Sequence, residues 1–159
     1  MKVTPERLKY SKKIGDKTEK RYANLMIQKG KTVIKATKEQ DMYEHIDYWV
    51  NGISVDVKGS RHLECIWLEL TNVNGNRGWL KGKAEYIMFD VIELSSFRAF
   101  KRLDLLRFIE ANAVEHTDDK REFMKIYTRK KWNKLDDVVK VRYDHIKHLE
   151  KGFAQYEGD

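Results

Sequence analysis

Three features that are common in secreted and membrane proteins are missing from this sequence. Its 159 residues include one cysteine, Cys65, so the chain cannot form an internal disulfide and fits a reducing compartment. No apolar run approaches the roughly 20 residues that a helix needs to cross a bilayer. Residues 1–7 carry charges with no apolar stretch behind them, unlike a secretory signal. We therefore expect a soluble, cytoplasmic protein without a membrane partner.

The sequence does contain enough apolar material for one domain. Hydrophobic residues make up 41% of it and aromatic residues 11%, which argues against a disordered chain. A length of 159 residues suits one hydrophobic core and leaves little room for a second. We find no internal repeat, and we predict a basic N-terminal arm over residues 1–14, either loose or a short helix, followed by one domain over residues 15–159.

The positive charge is concentrated at the N-terminus. Residues 1–40 carry twelve Lys and Arg against four Asp and Glu, whereas the rest of the chain carries twenty against twenty-one. Such a segment attracts a polyanion, and nucleic acid is the commonest one inside cells, although a solvated basic helix face would give the same pattern. The residues that we expect to contact backbone phosphates are Lys12, Lys13, Lys17, Lys20 and Arg21.

A helix is predicted from Asp16 to about Lys29. Asp16 has the character of an N-cap, Glu19 follows at capping-box spacing, and Gly30 is a natural stop. The apolar stripe of this helix consists of Ala23, Met26 and Ile27. Glu19 lies on the same side by i+4 and i+7 spacing, so it is expected to point toward the body of the protein.

The remaining pattern predicts a mixed α/β domain. Strands are predicted near residues 32–36, 45–50, 53–58, 66–70, 86–91, 125–128 and 138–143. Helices are predicted over about 97–115 and from residue 144 onward. In the glycine-rich loop 72–82, Trp79 and Leu80 are expected to pack onto the core. The glycines of that loop lack the spacing of a phosphate-binding loop or a dinucleotide fingerprint, so no nucleotide cofactor is expected.

The clearest local signal is a hairpin with Asn51-Gly52 at its turn. With a two-residue turn, paired residues have numbers that sum to 103, so Asp47 lies opposite Asp56. Because side chains alternate between faces, Asp56 and Lys58 share one face with Asp47, and opposed Cβ atoms are roughly 4.5–5.5 Å apart. Two carboxylates and an ammonium group are thus predicted to converge.

Opposed like charges destabilise a sheet, so this arrangement calls for a reason. A divalent cation between the carboxylates would be one, since Mg²⁺ prefers oxygen ligands completed by water and phosphate. Lys58 could then hold a scissile phosphate or help orient a water, as phosphodiester hydrolysis requires. The alternative is an exposed salt bridge between Asp47 and Lys58, with Asp56 merely solvated.

The order of these elements resembles the PD-(D/E)XK nucleases of the restriction-endonuclease-like fold. In that family a helix precedes a mixed central sheet, whose catalytic hairpin carries one acid and then a second acid two residues before a lysine. The matching residues here are Asp47 and Asp56-Val57-Lys58, within a resemblance that covers roughly residues 15–95. Ile46 stands where the family name has proline, and the second acid is Asp rather than the commoner Glu.

The resemblance implies hydrolysis of DNA phosphodiesters that depends on Mg²⁺ or Mn²⁺. Asp47, Asp56 and the backbone carbonyl of Val57 would bind metal, and Lys58 would act near the attacking water. Glu19 would bind or orient a metal or its water, although it also fits the capping box. Glu69 could be an outer ligand or a plain edge charge.

Several alternatives stay open at this point. A four-way-junction resolvase and a simple nicking or restriction-type endonuclease cannot be separated from the sequence. Small members of the family often dimerise, which makes a homodimer an expectation, and a phage origin would fit the resemblance. Outside the enzyme class, the chain could be a DNA-binding protein that kept the fold and lost catalysis. An RNA-directed nuclease is a further alternative, although no dedicated reader of the 2′-hydroxyl is evident.

Overall fold

A long N-terminal helix, α1 (Pro5–Gln28), precedes the sheets. The computed structural model describes residues 5–71, 76–131 and 134–156, and the side chains within these ranges except those of 5–14, 131 and 134. The predicted helix start at Asp16 is wrong, because the helix continues through Gly15 and Asp16 from a proline that suits a first helical position. The predicted stop is confirmed, since Gly30 follows the helix with a φ of 80°.

The buried face of α1 is defined by residues spaced four apart. Thr18, Tyr22 and Met26 are 3%, 2% and 5% exposed. The predicted apolar stripe was therefore only partly right, because Ile27 is 57% exposed and Tyr22 is the main contact. The hydroxyl of a tyrosine gives a weak burial signal in a sequence, although its ring contributes much apolar area to a core.

The described part of the chain contains ten strands and two further helices. In chain order the strands are β1 (Val33–Lys35), β2 (Tyr48–Val50), β3 (Ile53–Arg61), β4 (Ile66–Glu69), β5 (Tyr86–Val91), β6 (Ser96–Lys101), β7 (His116–Thr117), β8 (Ile126–Lys131), β9 (Lys134–Val141) and β10 (Glu150–Gln155). The helices are α2 (Arg102–Asn112) and α3 (Tyr143–Ile146), and single helical turns occur at Gln40–Glu44, Trp79–Lys81, Ile92–Leu94 and Lys147–Leu149. The predicted mixed α/β class is confirmed.

The strands form two mixed sheets within one domain. The larger sheet has the order β1-β2-β3-β5-β6-β10, in which β3 and β5 are parallel and the other neighbours are antiparallel. The smaller sheet has the order β4-β9-β8-β7, in which only β7 and β8 are parallel. One hydrophobic cluster joins α1 to the larger sheet, and a second fills the space between the two sheets.

Two predicted helices are replaced in part by strands. Over 97–115, residues up to Lys101 belong to β6 and only Arg102–Asn112 is helical. Phe97 and Phe100 belong to different hydrophobic clusters, because both faces of the larger sheet are covered. Their spacing of three therefore imitated a helical period. The predicted helix from residue 144 is confirmed only as far as Leu149, because β10 then pairs with β6.

Other predicted elements are confirmed. Strand β5 has the predicted bounds, and Trp79 and Leu80 are 6% and 0% exposed in the core. No helix in the described ranges is long and apolar enough to span a membrane.

Candidate active site

The predicted hairpin forms with the predicted register. Tyr48 pairs with Val55, Trp49 with Ser54 and Val50 with Ile53. The turn residues Asn51 and Gly52 have φ values of 48° and 80°, which Asn and Gly tolerate best. The alternation of side chains along β3 is therefore fixed from its first residue.

Asp47 lies where the pairing of β2 with β3 ends. Its backbone N–H donates to the carbonyl of Val55 at 2.8 Å, one residue away from the hairpin register. Its carboxylate Oδ2 accepts a hydrogen bond from the N–H of Val57 at 2.7 Å. Asp47 and Asp56 are thus not a ladder pair as predicted, but their carboxyl groups still interact directly.

Asp56 is the most deeply buried acid of this group, at 2% exposed. Its Oδ1 lies 3.2 Å from the ammonium nitrogen of Lys58. Its Oδ2 is buried and has no hydrogen-bond partner among the described residues. A buried charged oxygen without a partner is costly, so this atom is a candidate ligand position for a cation.

Lys58 is held from two sides. Besides its contact with Asp56, its Nζ lies 5.1 Å from the centre of the Trp79 ring, within the range of a cation–π interaction. Its side chain retains 22% exposure. The salt bridge that forms is therefore Lys58–Asp56, rather than the Asp47–Lys58 pair weighed as the alternative.

Glu19 and Asp47 line one cleft with a volume of about 460 Å³, which we call the Glu19 cleft. Its other charged lining residues are Asp16, Lys20, Lys35, Lys38 and Asp41. Glu19 thus faces the body of the protein, as predicted. Because Asp16 lies inside α1, the capping-box explanation for Glu19 no longer holds.

Lys35 and Lys38 were missed by the sequence analysis. Lys35, the last residue of β1, pairs with Tyr48, which follows Asp47 in the sequence. The sequence alone does not show this proximity, because it depends on the pairing of β1 with the hairpin.

The acids of the site repel one another and are shielded from water. Burial and the neighbouring Asp47 raise the pKa of Glu19 to about 7. Burial and the neighbouring Asp56 raise the pKa of Asp47 to about 8, against the opposing effects of the Val57 N–H and Lys58. Burial raises the pKa of Asp56 as well, although Lys58 opposes the shift. A divalent cation would relieve all three.

The predicted phosphate-contact residues have different surroundings. Lys20 lines the Glu19 cleft, and Lys17 is exposed on α1. Arg21 donates to Asp90 at 3.2 Å and lies over the Tyr156 ring, so it ties α1 to the larger sheet. The side chains of Lys12 and Lys13 lie outside the described residues.

A glycine fixes the distance between α1 and the site. A Cβ atom on Gly59 would lie 2.8 Å from the Oγ1 of Thr18, the residue before Glu19. Only glycine permits this close approach, because a real Cβ is essentially never so near a neighbouring heavy atom. Gly59 directly follows Lys58, so the same contact positions Glu19 relative to β3.

The donor set suits a cation that keeps much of its water. Among the described residues, no three acidic, histidine or cysteine side chains converge closely enough to hold a metal ion by themselves. The pair Asp47 and Asp56, with its unpartnered Oδ2, nevertheless fits Mg²⁺, which is commonly bound by one or two carboxylates, waters and substrate phosphate. A role of the Val57 carbonyl stays a prediction.

Two other side chains lie apart from the cleft. Glu69 lines a different cavity, beside Arg61. Burial lowers the pKa of the Arg61 guanidinium, although Asp56 opposes that shift. Sequence analysis gave Arg61 no specific role because nothing in it showed that an arginine at the end of β3 would be buried.

Comparison with known proteins finds no family model, no curated protein and no solved structure that matches this chain.

Proposed function

We propose that this protein is a metal-dependent endonuclease that hydrolyses phosphodiester bonds in DNA. The observation that carries the proposal is Asp56, whose buried Oδ2 has no partner among the described residues while Asp47 and Lys58 lie beside it. Most buried polar atoms in folded proteins have a hydrogen-bond partner, so this oxygen calls for an explanation. The restriction-endonuclease-like core belongs to the same proposal.

Asp47 and Asp56 would hold Mg²⁺ or Mn²⁺, with the carbonyl of Val57 as a further oxygen ligand. When bound, such an ion supplies positive charge at the phosphate and lowers the pKa of a coordinated water. Lys58 contacts a non-bridging oxygen of the scissile phosphate and stabilises the charge that develops there. Its contacts with Asp56 and the Trp79 ring restrict the orientations of the ammonium group.

Glu19 orients the attacking water and accepts a proton from it. Its carboxylate lines the same cleft as Asp47, the position that this role requires. Lys20, Lys35 and Lys38 surround the same cleft and contact the flanking phosphates. The clustering of these lysines beside the acids supports a polyanionic substrate.

The test is cleavage of supercoiled plasmid and of a labelled four-way junction, with a matched RNA duplex in parallel. Each reaction contains Mg²⁺, Mn²⁺ or EDTA, and the proteins are wild type, Lys58→Met and Lys147→Ala. Met keeps the apolar stem over Trp79 and removes the charge, whereas Lys147 pairs with Asp144 on the surface and serves as the matched control. The substrate that is cut separates a resolvase from a general endonuclease and DNA from RNA.

We expect metal-dependent cutting of DNA that Lys58→Met loses and Lys147→Ala retains. Absence of cutting while both variants bind DNA with equal, salt-sensitive affinity would refute the catalytic proposal. The protein would then be a DNA-binding protein without nuclease activity. A homodimer, expected for paired cuts, is tested by light scattering in the same samples.

A further inference from the structure

A second cavity, with a volume of about 410 Å³, lies at the end of β3 beyond Lys58. We call it the Arg61 cavity; the lining residues that matter are Arg61, Trp67, Glu69, Trp79 and Arg129. It adjoins the proposed active site, because Trp79 lines it and also carries Lys58 Nζ at 5.1 Å from its ring centre. A ligand in the cavity would therefore lie next to the catalytic lysine.

Because side chains alternate between the two faces of β4, its tryptophan lies on the face directed away from the core. Ile66 and Leu68 are fully buried between the sheets, so Trp67 and Glu69 point to the opposite face and line the cavity. The Trp67 ring is supported by Tyr127, at 6.2 Å between ring centres. The Lys140 ammonium also lies over this ring, at 5.6 Å from its centre, and the Trp67 side chain remains partly exposed. A partly exposed tryptophan that lines a cavity is suited to stacking with a flat ligand.

Arg61 brings an unsatisfied donor to the same cavity. Its Nη1 donates to the carbonyl of Gly59 at 2.5 Å, whereas its Nε is buried and has no acceptor among the described residues. Arg129 also lines the cavity, and its guanidinium donates to Asp136. Two guanidinium groups, one of them with an Nε–H that has no acceptor among the described residues, favour a ligand that carries phosphate oxygens.

Glu69 further limits the kind of ligand that the cavity can bind. A carboxylate would repel a bare phosphate, but it accepts hydrogen bonds from an exocyclic amine on a nucleobase. The cavity also falls within the range of roughly 300–1,000 Å³ that is usual for small-ligand sites. The cavity thus has a tryptophan that can stack with a base, an arginine that can bind a phosphate and a carboxylate that can accept from a base amine. Together these groups would bind one nucleotide.

We propose that the Arg61 cavity binds one unpaired nucleotide of the substrate, with its base stacked on Trp67 and its phosphate on Arg61. The preferred DNA then carries a single-stranded tail or an extruded base next to the bond that is cut. This inference rests on the proposed nuclease function, but its binding test does not require cleavage.

The experiment compares binding of three labelled DNAs in Ca²⁺ by fluorescence anisotropy. They are a blunt duplex, the same duplex with a four-nucleotide tail, and that duplex with abasic sites throughout the tail. The variants are Trp67→Ala, Trp67→Phe and the control Phe153→Ala, an aromatic residue that is 61% exposed and lines neither cavity. Thermal melting of each variant checks that it folds.

We expect wild type to bind the tailed duplex about tenfold more tightly than the blunt one, as the loss or gain of one base–aromatic stack implies. The abasic tail and Trp67→Ala should each bring this ratio close to one, while Trp67→Phe and Phe153→Ala keep most of it. Because the abasic tail changes only the DNA, the test holds even where Trp67→Ala does not fold.

Equal affinity of wild type for all three DNAs, or a preference that survives loss of the bases, overturns the inference. If either result is found and DNA is still cut in a metal-dependent manner, only the cavity proposal is refuted and the nuclease proposal is retained. If the tail preference depends on its bases and on Trp67 but no DNA is cut in Mg²⁺, the cavity assignment stands and the nuclease proposal fails.

Discussion

Two buried aspartates in the larger sheet have different surroundings, although both are almost inaccessible to water. Asp90 is 1% exposed and both its oxygens have partners, one from Arg21 at 3.2 Å and the other from the Tyr156 hydroxyl at 2.5 Å. Asp56 is 2% exposed, but only its Oδ1 contacts a basic group, Lys58, and its Oδ2 accepts no hydrogen bond from the described residues. The hydrogen bonds of Asp90 are complete within the chain, whereas Asp56 has an oxygen that a bound cation could contact.

The difference shows how a structural acid can be told from a functional one. Asp90 joins α1, β5 and the segment after β10, so its partners belong to distant parts of the fold. The acids around Asp56 are instead one another's neighbours, and their mutual repulsion and burial raise their pKa values. We therefore expect substitutions at Asp90 to affect mainly stability and substitutions at Asp56 to affect mainly chemistry.

The largest expected effect is on cleavage by Asp56→Asn. The amide cannot offer two anionic oxygens to a cation, so the rate of DNA hydrolysis should fall at least about 100-fold. Gel assays of plasmid nicking measure this rate. Asp119→Asn, at an exposed ion pair with Arg121, is the control and should cut normally. A variant that cuts as fast as wild type would make Asp56 another structural acid.

The next effect is the loss of stability in Asp90→Ala. The change leaves the partly exposed Arg21 guanidinium and the Tyr156 hydroxyl without their shared acceptor, and losing hydrogen bonds to a charged group costs about 1.5–3 kcal/mol. Urea unfolding measures the free energy of unfolding. If Asp56→Asn destabilised the protein by as much, the two aspartates would not differ as we propose.

The dependence of the free energy of unfolding on pH tests the proposed difference between the site acids and Asp90. In the folded, metal-free protein Asp47 and Glu19 hold protons up to about pH 8 and 7, whereas in the unfolded chain they release them near pH 4. The free energy of unfolding should therefore fall as the pH rises from about 4 to 8.

Added Mg²⁺ should restore much of that loss at pH 8, because it binds the ionised acids. Asp47→Asn should flatten the pH dependence measured without metal by thermal melting. A melting temperature that rises steadily over the same range in wild type would contradict the raised pKa values.

The smallest expected effect comes from substituting Gly59, which allows α1 to lie close to β3. Gly59→Ala should destabilise the protein by about 1–3 kcal/mol, because its Cβ would lie 2.8 Å from Thr18 Oγ1. It should also slow cleavage by displacing Glu19. Gly15→Ala is the matched control, since no heavy atom of the described residues outside the helix's own backbone lies within 4 Å of the added Cβ. It should stabilise the helix by roughly 0.5–1 kcal/mol. Equal effects of the two substitutions would argue against this packing constraint.

The centre of the site could be predicted from the sequence because its information is local. Asn51-Gly52 fixes the turn, and period-two alternation then places Asp56 and Lys58 on one face. The inward direction of Glu19 followed from helical spacing alone. The function of these residues, by contrast, stays a proposal that only experiment can test.

What could not be predicted depends on contacts between distant segments. The helical interpretation of Phe97 and Phe100 failed because both faces of β6 are covered, which no single segment reveals. The lysines of β1 and the burial of Arg61 depend on which strands become neighbours. The interaction of Asp47 with Asp56 required a ladder that ends one residue early, with a side chain bonded to the Val57 N–H.

The most direct test of the account is Mn²⁺ binding by titration calorimetry at pH 7, in two buffers of different ionisation enthalpy. We predict that wild type binds Mn²⁺ with release of protons, since the raised pKa values leave Asp47 and Glu19 partly protonated. Asp56→Asn should lose the binding, and Asp119→Asn should keep both the affinity and the proton release. Equal Mn²⁺ binding by wild type and Asp56→Asn, or none by either, would contradict the account.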